Sequence, residues 1–161
     1  MIVSQDERNT VVDRYANLVW RIALARTQKE EDAEEVFQEV FLRLFQKERE
    51  FREEEHRKAW LIRTTLVCCK SYRIASFRHA TLSLEEVAPT LYLPEEKLGV
   101  YEAMLRLPAK YRIPLQLYYI EGMEAEACAN ALGLRPGTFR VRLNRGRNLL
   151  REQLKGEGID V

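Results

Sequence analysis

The chain has 161 residues, 46% hydrophobic and 32% charged, with 26 Lys and Arg against 25 Asp and Glu for a formal net charge of +1. No apolar run approaches the roughly 18 residues needed to cross a bilayer, which excludes a transmembrane span. Seven Gly and five Pro are too few for a turn-dense β fold, and abundant Leu, Arg, Glu and Ala point to an all-α protein of one or two small domains.

The first ten residues, MIVSQDERNT, lack the basic-then-apolar layout of a signal peptide, so a cytoplasmic location is expected. Val11, Val12, Tyr15, Leu18, Val19, Ile22 and Ala23 recur at helical spacing and predict a first helix over 6–27. Val36, Phe37, Val40, Phe41, Leu44 and Phe45 do the same for a second, and a third is predicted from about Arg57 to Phe77. The stretch TLSLEEVAPTLYLP, Thr81 to Pro94, carries two prolines and no sustained period, and reads as a linker. Beyond it three shorter helices are expected, Gly99 to Leu107, Ala109 to Ile120 and Glu124 to Leu132, and then a basic one entered through Pro136.

The near-neutral total hides segregation. Residues Glu30 to Glu39 hold six acids and no base. From His56 to Leu84 there is no acid against six bases, Arg57, Lys58, Arg63, Lys70, Arg73 and Arg78. From Ala127 to Leu150 the acid-free pattern repeats with Arg135, Arg140, Arg142, Arg145 and Arg147. Each run alone reads as a solvated helix face; two in one short chain, separated by Glu85, Glu86, Glu95 and Glu96, read as two contact points on a polyanion.

Cys68, Cys69 and Cys128 form no CxxC pair and have no nearby histidine, so neither a zinc site nor a disulfide framework is expected, and no cofactor. His56 and His79 sit in charged segments without a nucleophile motif or a Gly-rich phosphate loop, which excludes the familiar enzyme classes.

In the last basic segment Phe139, Leu143, Gly146 and Leu150 fall on one buried stripe. Arg140, Asn144, Arg147 and Arg151, with Val141 and Arg145 beside them, fall on the outward surface. A short helix closed by Gly133, a turn, and a basic helix make a helix-turn-helix, whose second helix meets base edges in the major groove. Arginine suits both base edges and phosphates through its planar fork of donors.

Residues 107–154, LPAKYRIPLQLYYIEGMEAEACANALGLRPGTFRVRLNRGRNLLREQL, resemble region 4 of the extracytoplasmic-function (ECF) sigma factors, a group of the sigma-70 family. The family pattern there runs LP-x-x-YR, a YYxEG-like segment, a scaffold helix, then G-T-V-x-x-R-L-x-R-A-R. EDAEEVFQEVFLRLFQ, residues 31–46, is similar to regions 2.1 to 2.2, and RKAWLIRTTLVCCKSYRIASFRH, residues 57–79, to regions 2.3 and 2.4.

The resemblance implies a subunit, not itself a catalyst, that binds core RNA polymerase and directs it to promoters. It implies region 2 over residues 1–80, a flexible linker over 81–94 and region 4 over 95–158. Asp32, Glu35, Gln38 and Glu39 match core-binding positions facing the clamp helices of the largest subunit, the flap of the second-largest subunit being a further contact. Trp60, Arg63, Lys70, Arg73 and Arg78 would meet the −10 element, with Tyr72 and Phe77 as interleaved rings, though Trp60 also suits the core. Arg135, Thr138, Arg140, Val141, Asn144, Arg145 and Arg147 would meet the −35 element. An anti-sigma factor is an implied partner; a membrane is not.

Val67 stands where the family commonly has Asn, which removes an amide suited to a base or phosphate. Arg135 stands where Ser is common, giving up a cap worth about 1 kcal/mol, and Cys128 where Ile is usual. A stand-alone helix-turn-helix regulator with an N-terminal helical sensor domain accounts for the C-terminal third but not for the acidic helix or the first basic run.

Overall fold

The computed structural model describes residues 5–46, 51, 53–72 and 84–156, and among these no strand occurs. Contacts divide the chain into two units, Met1–Ser83 and Leu84–Val161.

The first unit packs α1 (Gln5–Thr27), α2 (Glu30–Gln46) and α3 (Glu54–Cys69) pairwise against one another. The periodic apolar positions of the sequence form its core: Val19, Ile22, Val36, Val40, Leu61 and Ile62 are all fully buried. Each such side chain contributes about 1.5–3 kcal/mol of transfer free energy. Trp20, Phe37, Phe41 and Phe45 extend that core as a row of edge and tilted ring contacts, with Phe37 and Phe41 4.9 Å apart. α1 ends where Thr27 turns its hydroxyl back to the Ala23 carbonyl (2.8 Å) and Gln28 takes a left-handed φ of 56°. Glu30, Glu31 and Asp32 then occupy the first turn of α2, where the helix dipole favours anions.

α3 starts at Glu54, three residues before the Arg57 expected from the sequence, and Glu54 ties the helix to α1. Its carboxylate accepts a 2.5 Å hydrogen bond from the Tyr15 hydroxyl of α1 and pairs with Arg57 (2.5 Å) and Arg14 (3.4 Å). The hydrogen bond from Tyr15, then the two guanidinium groups, hold the Glu54 carboxyl below its ordinary range. α3 ends at Cys69 in a tight turn, Lys70 N–H to Val67 C=O (3.1 Å) and Tyr72 N–H to Cys69 C=O (3.1 Å). The part of the expected helix from Arg73 to Phe77, with Arg78, lies outside the described residues.

A pH dependence follows. A depressed folded-state pKa gives stability that is present above the unfolded value of about 4.3 and lost as pH falls through the folded value. Glu54→Gln should therefore lower the urea midpoint of the first unit at pH 7, and the gap from wild type should close toward pH 3. Tryptophan fluorescence reads this unit, since both tryptophans, Trp20 and Trp60, lie in it. A gap of equal size at both pH values would overturn the assignment.

The second unit contains α4 (Leu84–Leu91), α5 (Glu95–Met104), α6 (Ala109–Leu115), a π turn (Gln116–Ile120), α7 (Ala125–Leu132) and α8 (Pro136–Gly156). α4 corrects the reading of residues 81–94 as an aperiodic linker. Val87 and Leu91, four residues apart on one side of this helix, are buried. Pro89 removes one N–H from this helix without preventing it.

The expected helix 109–120 changes pitch part-way. Pro114 supplies no N–H, and after α6 the chain widens into the π turn, where Glu121 N–H reaches back five residues to Gln116 C=O (2.9 Å). The LP-x-x-YR stretch turns out to be a corner staple. Arg112, 3% exposed, donates to the Leu107 carbonyl (2.7 Å), so its guanidinium satisfies the backbone between α5 and α6.

α7 closes on Gly133, whose φ of 66° is left-handed, and Leu134 N–H returns to Ala129 C=O (2.9 Å). α8 buries Phe139, Leu143, Gly146, Leu150 and Leu154, the stripe expected from the sequence. Gly146 lets α8 approach α6: a Cβ built on it would meet Leu115 Cδ1 and Tyr111 Cβ, both at 3.2 Å.

Candidate nucleic-acid interface

With Phe139 and Leu143 turned inward, α8 presents the opposite side to solvent. Arg135, Thr138, Arg140, Asn144 and Arg145 are exposed, as is Val141 at 48%. All six therefore share one cationic, amide-bearing surface at the start of the second helix of a helix-turn-helix. Arg142 is half-buried at the stripe's edge.

Arg147 is different. Its guanidinium lies over the Tyr119 ring, 5.5 Å from the centroid, and its buried Nε has no hydrogen-bond partner among the described residues. It stands on the rim of a cavity of about 330 Å³ walled by Val100, Ile120, Leu150 and Leu154. Lys97 and Arg151 complete a cationic rim around that apolar trough. The walls come from α5, the π turn and α8, so periodicity within any one helix does not reveal it.

In the first unit the outward face of α3 carries Arg63 and Val67, one turn apart, and Lys70 follows at the C-cap three residues on, all three exposed. Trp60 is half-buried and packs its ring at 6.0 Å on Phe51. Arg57 in turn lies 5.5 Å over Phe51. Arg73 and Arg78 are outside the described residues, so the basic face of this unit is represented by Arg63 and Lys70.

Two of the acids of α2 border one cavity. Glu35, Gln38 and Glu39 line a cavity of about 370 Å³ that also meets Leu42, Cys68 and Tyr72. Both of these carboxylates are already engaged. Glu39 receives the Arg43 Nε at 2.8 Å, and Glu35 accepts the Tyr72 hydroxyl at 2.8 Å. That hydrogen bond, with desolvation and the charges of Glu35 and Asp32, pushes the Tyr72 hydroxyl pKa up to about 12. Tyr72, expected as a ring among the −10 residues, thus joins the end of α3 to the acidic helix. The Glu39–Arg43 pair was readable from its i,i+4 spacing; the partner of Glu35 was not.

The cysteines are free and buried. Burial raises the Cys69 thiol to about 12 and shifts Cys68 upward, which in each case disfavours the thiolate. Among the described residues no group of His, Cys, Asp and Glu could hold a metal ion, and no helix is long and apolar enough to cross a membrane.

Residues 11–73 match the model for sigma-70 region 2, and residues 97–150 the model for sigma-70 region 4. The chain is 30% identical to a probable RNA polymerase sigma factor, RfaY, of Xanthomonas campestris over 93% of its length, and to the ECF RNA polymerase sigma factor SigE of Mycolicibacterium smegmatis over 89%. It spans only 41% and 60% of those two proteins. With the ECF RNA polymerase sigma factor SigL of Mycobacterium tuberculosis it shares 29% identity over 91% of this chain and 88% of that one. Its fold is similar to that of the sigma factor RpoE from Bartonella quintana, solved with the anti-sigma factor NepR, at a TM-score of 0.67 and 22% identity over 91% of this chain and 96% of that one. Two region models falling in order on the two helical units, and alignments that cover about nine-tenths of this chain, place it in the sigma-70 family, among its ECF sigma factors.

Proposed function

We propose that this chain is a transcription initiation factor that binds core RNA polymerase and directs it to promoters through −10 and −35 elements. The observation that carries the reading is a division of labour: cationic outward faces on α3 and α8, one in each unit, and an acidic face on α2 of the first. A polyanion fits the first two, and a cationic protein surface fits the third. The role is not enzymatic.

In this reading Asp32, Glu35, Gln38 and Glu39 meet the clamp helices of the largest polymerase subunit. The apolar trough between α5, the π turn and α8 takes the flap of the second-largest. Trp60, Arg63 and Lys70, with Arg73 and Arg78 downstream, serve the −10 element. Region 2 and region 4 act as separately folded units, and an anti-sigma factor that covers these faces would hold the protein inactive. The name of the Bartonella complex supports that partner class.

Transcription with core polymerase on genomic fragments, mapping the 5′ ends, tests the reading. Defined start sites should require both core enzyme and this chain. A footprint on duplex DNA by the chain alone would favour the stand-alone regulator. Glu35→Lys, at an exposed position, should leave the circular dichroism unchanged and weaken core binding about tenfold, as reversal of an interfacial charge does. Glu35→Gln, which keeps an acceptor for Tyr72, separates lost charge from the lost hydrogen bond. Unchanged affinity of Glu35→Lys would sink the clamp assignment.

A further inference from the structure

Val67 is 50% exposed on α3, although the helix has a buried face that takes Leu61, Ile62, Thr65, Cys68 and Cys69. A lone exposed valine is unremarkable on most surfaces. This one has Arg63 one turn before it and Lys70 three residues after it, both exposed, in a stretch of chain without a single acid from His56 to Leu84. Val141, 48% exposed, sits in the same manner beside Arg140 and Arg145 on α8. In both units, then, an isopropyl group stands out of a cationic helix face.

A valine side chain has neither donor nor acceptor, so it cannot read a base by hydrogen bonds. The apolar group that a base edge offers is the C5 methyl of thymine. β-branching also holds the side chain at one χ1 within a helix, so the isopropyl group is presented in a fixed direction. We propose that Val67 is a thymine-selecting residue of the −10 interaction: its methyl groups pack on the C5 methyl of one thymine in the opened strand, while Arg63 and Lys70 hold phosphates on either side. The inference rests on the −10 reading of α3 and adds to it a base preference and its chemical origin. The amide common at this position in the family would select by hydrogen bonding; the valine selects by a methyl contact.

The test uses the complex of core polymerase with this chain and a non-template-strand oligonucleotide spanning the −10 element of a promoter mapped as above. Each thymine is replaced in turn by deoxyuridine, which removes the methyl and nothing else. One position should show weaker binding by about fourfold, the value of one buried methyl group. Val67→Ala should bind the thymine form as weakly as wild type binds the uridine form, and should lose the difference between them. Affinity for core polymerase should not change.

Indifference to every uridine, a uridine effect that survives in Val67→Ala, or loss of core affinity in that variant would each overturn the proposal. The double variant Arg63→Ala, Lys70→Ala separates the two levels. Oligonucleotide binding that ignores it removes the −10 reading of α3 and this inference with it. Binding that falls with it but ignores the methyl removes only the role of Val67.

Discussion

Arg140→Ala is expected to lower transcription from the chain's own promoter about tenfold or more, and to flatten preference at one base pair of the −35 element. Arg140 is exposed near the start of α8, on the face that also carries Asn144, where a recognition helix reaches base edges. A bidentate arginine contact to guanine carries about 1–3 kcal/mol of discrimination, and alanine keeps the helix while removing the fork. Arg135, exposed just before α8, is expected to meet phosphate. Its loss should weaken all promoters alike and reduce the salt slope of binding by about one. Transcription from a panel of −35 variants, with binding measured across salt concentrations, separates the two. If Arg140→Ala weakened every variant equally, the reading role would be wrong. Arg147→Ala is a third case, because Arg147 packs on Tyr119: it should weaken all promoters and also destabilise the second unit.

Gly146→Val should unfold the second unit at markedly lower urea while sparing the first. A Cβ at 146 already meets Leu115 and Tyr111 at 3.2 Å, and Leu115 is fully buried, so two further methyl groups have nowhere to go. Overpacking of this kind costs about 1–3 kcal/mol or more, and β-branching adds to it. Gly146→Ala is the informative partner. It gains about 1 kcal/mol of helix propensity, set against a contact that needs a shift of only a few tenths of an ångström, so its midpoint should stay near wild type. Both tryptophans lie in the first unit. The Gly146→Val transition should therefore move in the circular dichroism while the fluorescence midpoint stays put. A fluorescence midpoint that shifted equally would show that the two units unfold as one.

Much was legible because it is local. The apolar period of α1, α2 and α8 depends only on residues three and four apart, and it located Val19, Val36 and Phe139 in the core before any coordinates. The helix-turn-helix was announced by Gly133 and Pro136, since a left-handed C-cap and a proline at the first helical position are properties of single residues. α4 was missed because two prolines outweighed the Leu84, Val87, Leu91 spacing. The π turn was missed because Ala109 to Ile120 was expected as one continuous helix, and apolar spacing does not register a local change of pitch.

The sequence by itself determined the helical class, the inward and outward sides of α8, and the charged residue types carried on the helix faces, all of which follow from short-range geometry and side-chain chemistry. Only the tertiary structure decided which of those charges are already committed. Glu35 is held by Tyr72, 37 residues away, Arg147 lies on Tyr119, and Arg112 is bound to the backbone of the α5–α6 corner. Such pairings depend on which helices pack and at what register, and a hydrogen bond or ring contact falls away within a few ångströms. No pattern along the chain encodes that distance; it exists once the apolar stripes have closed on one another.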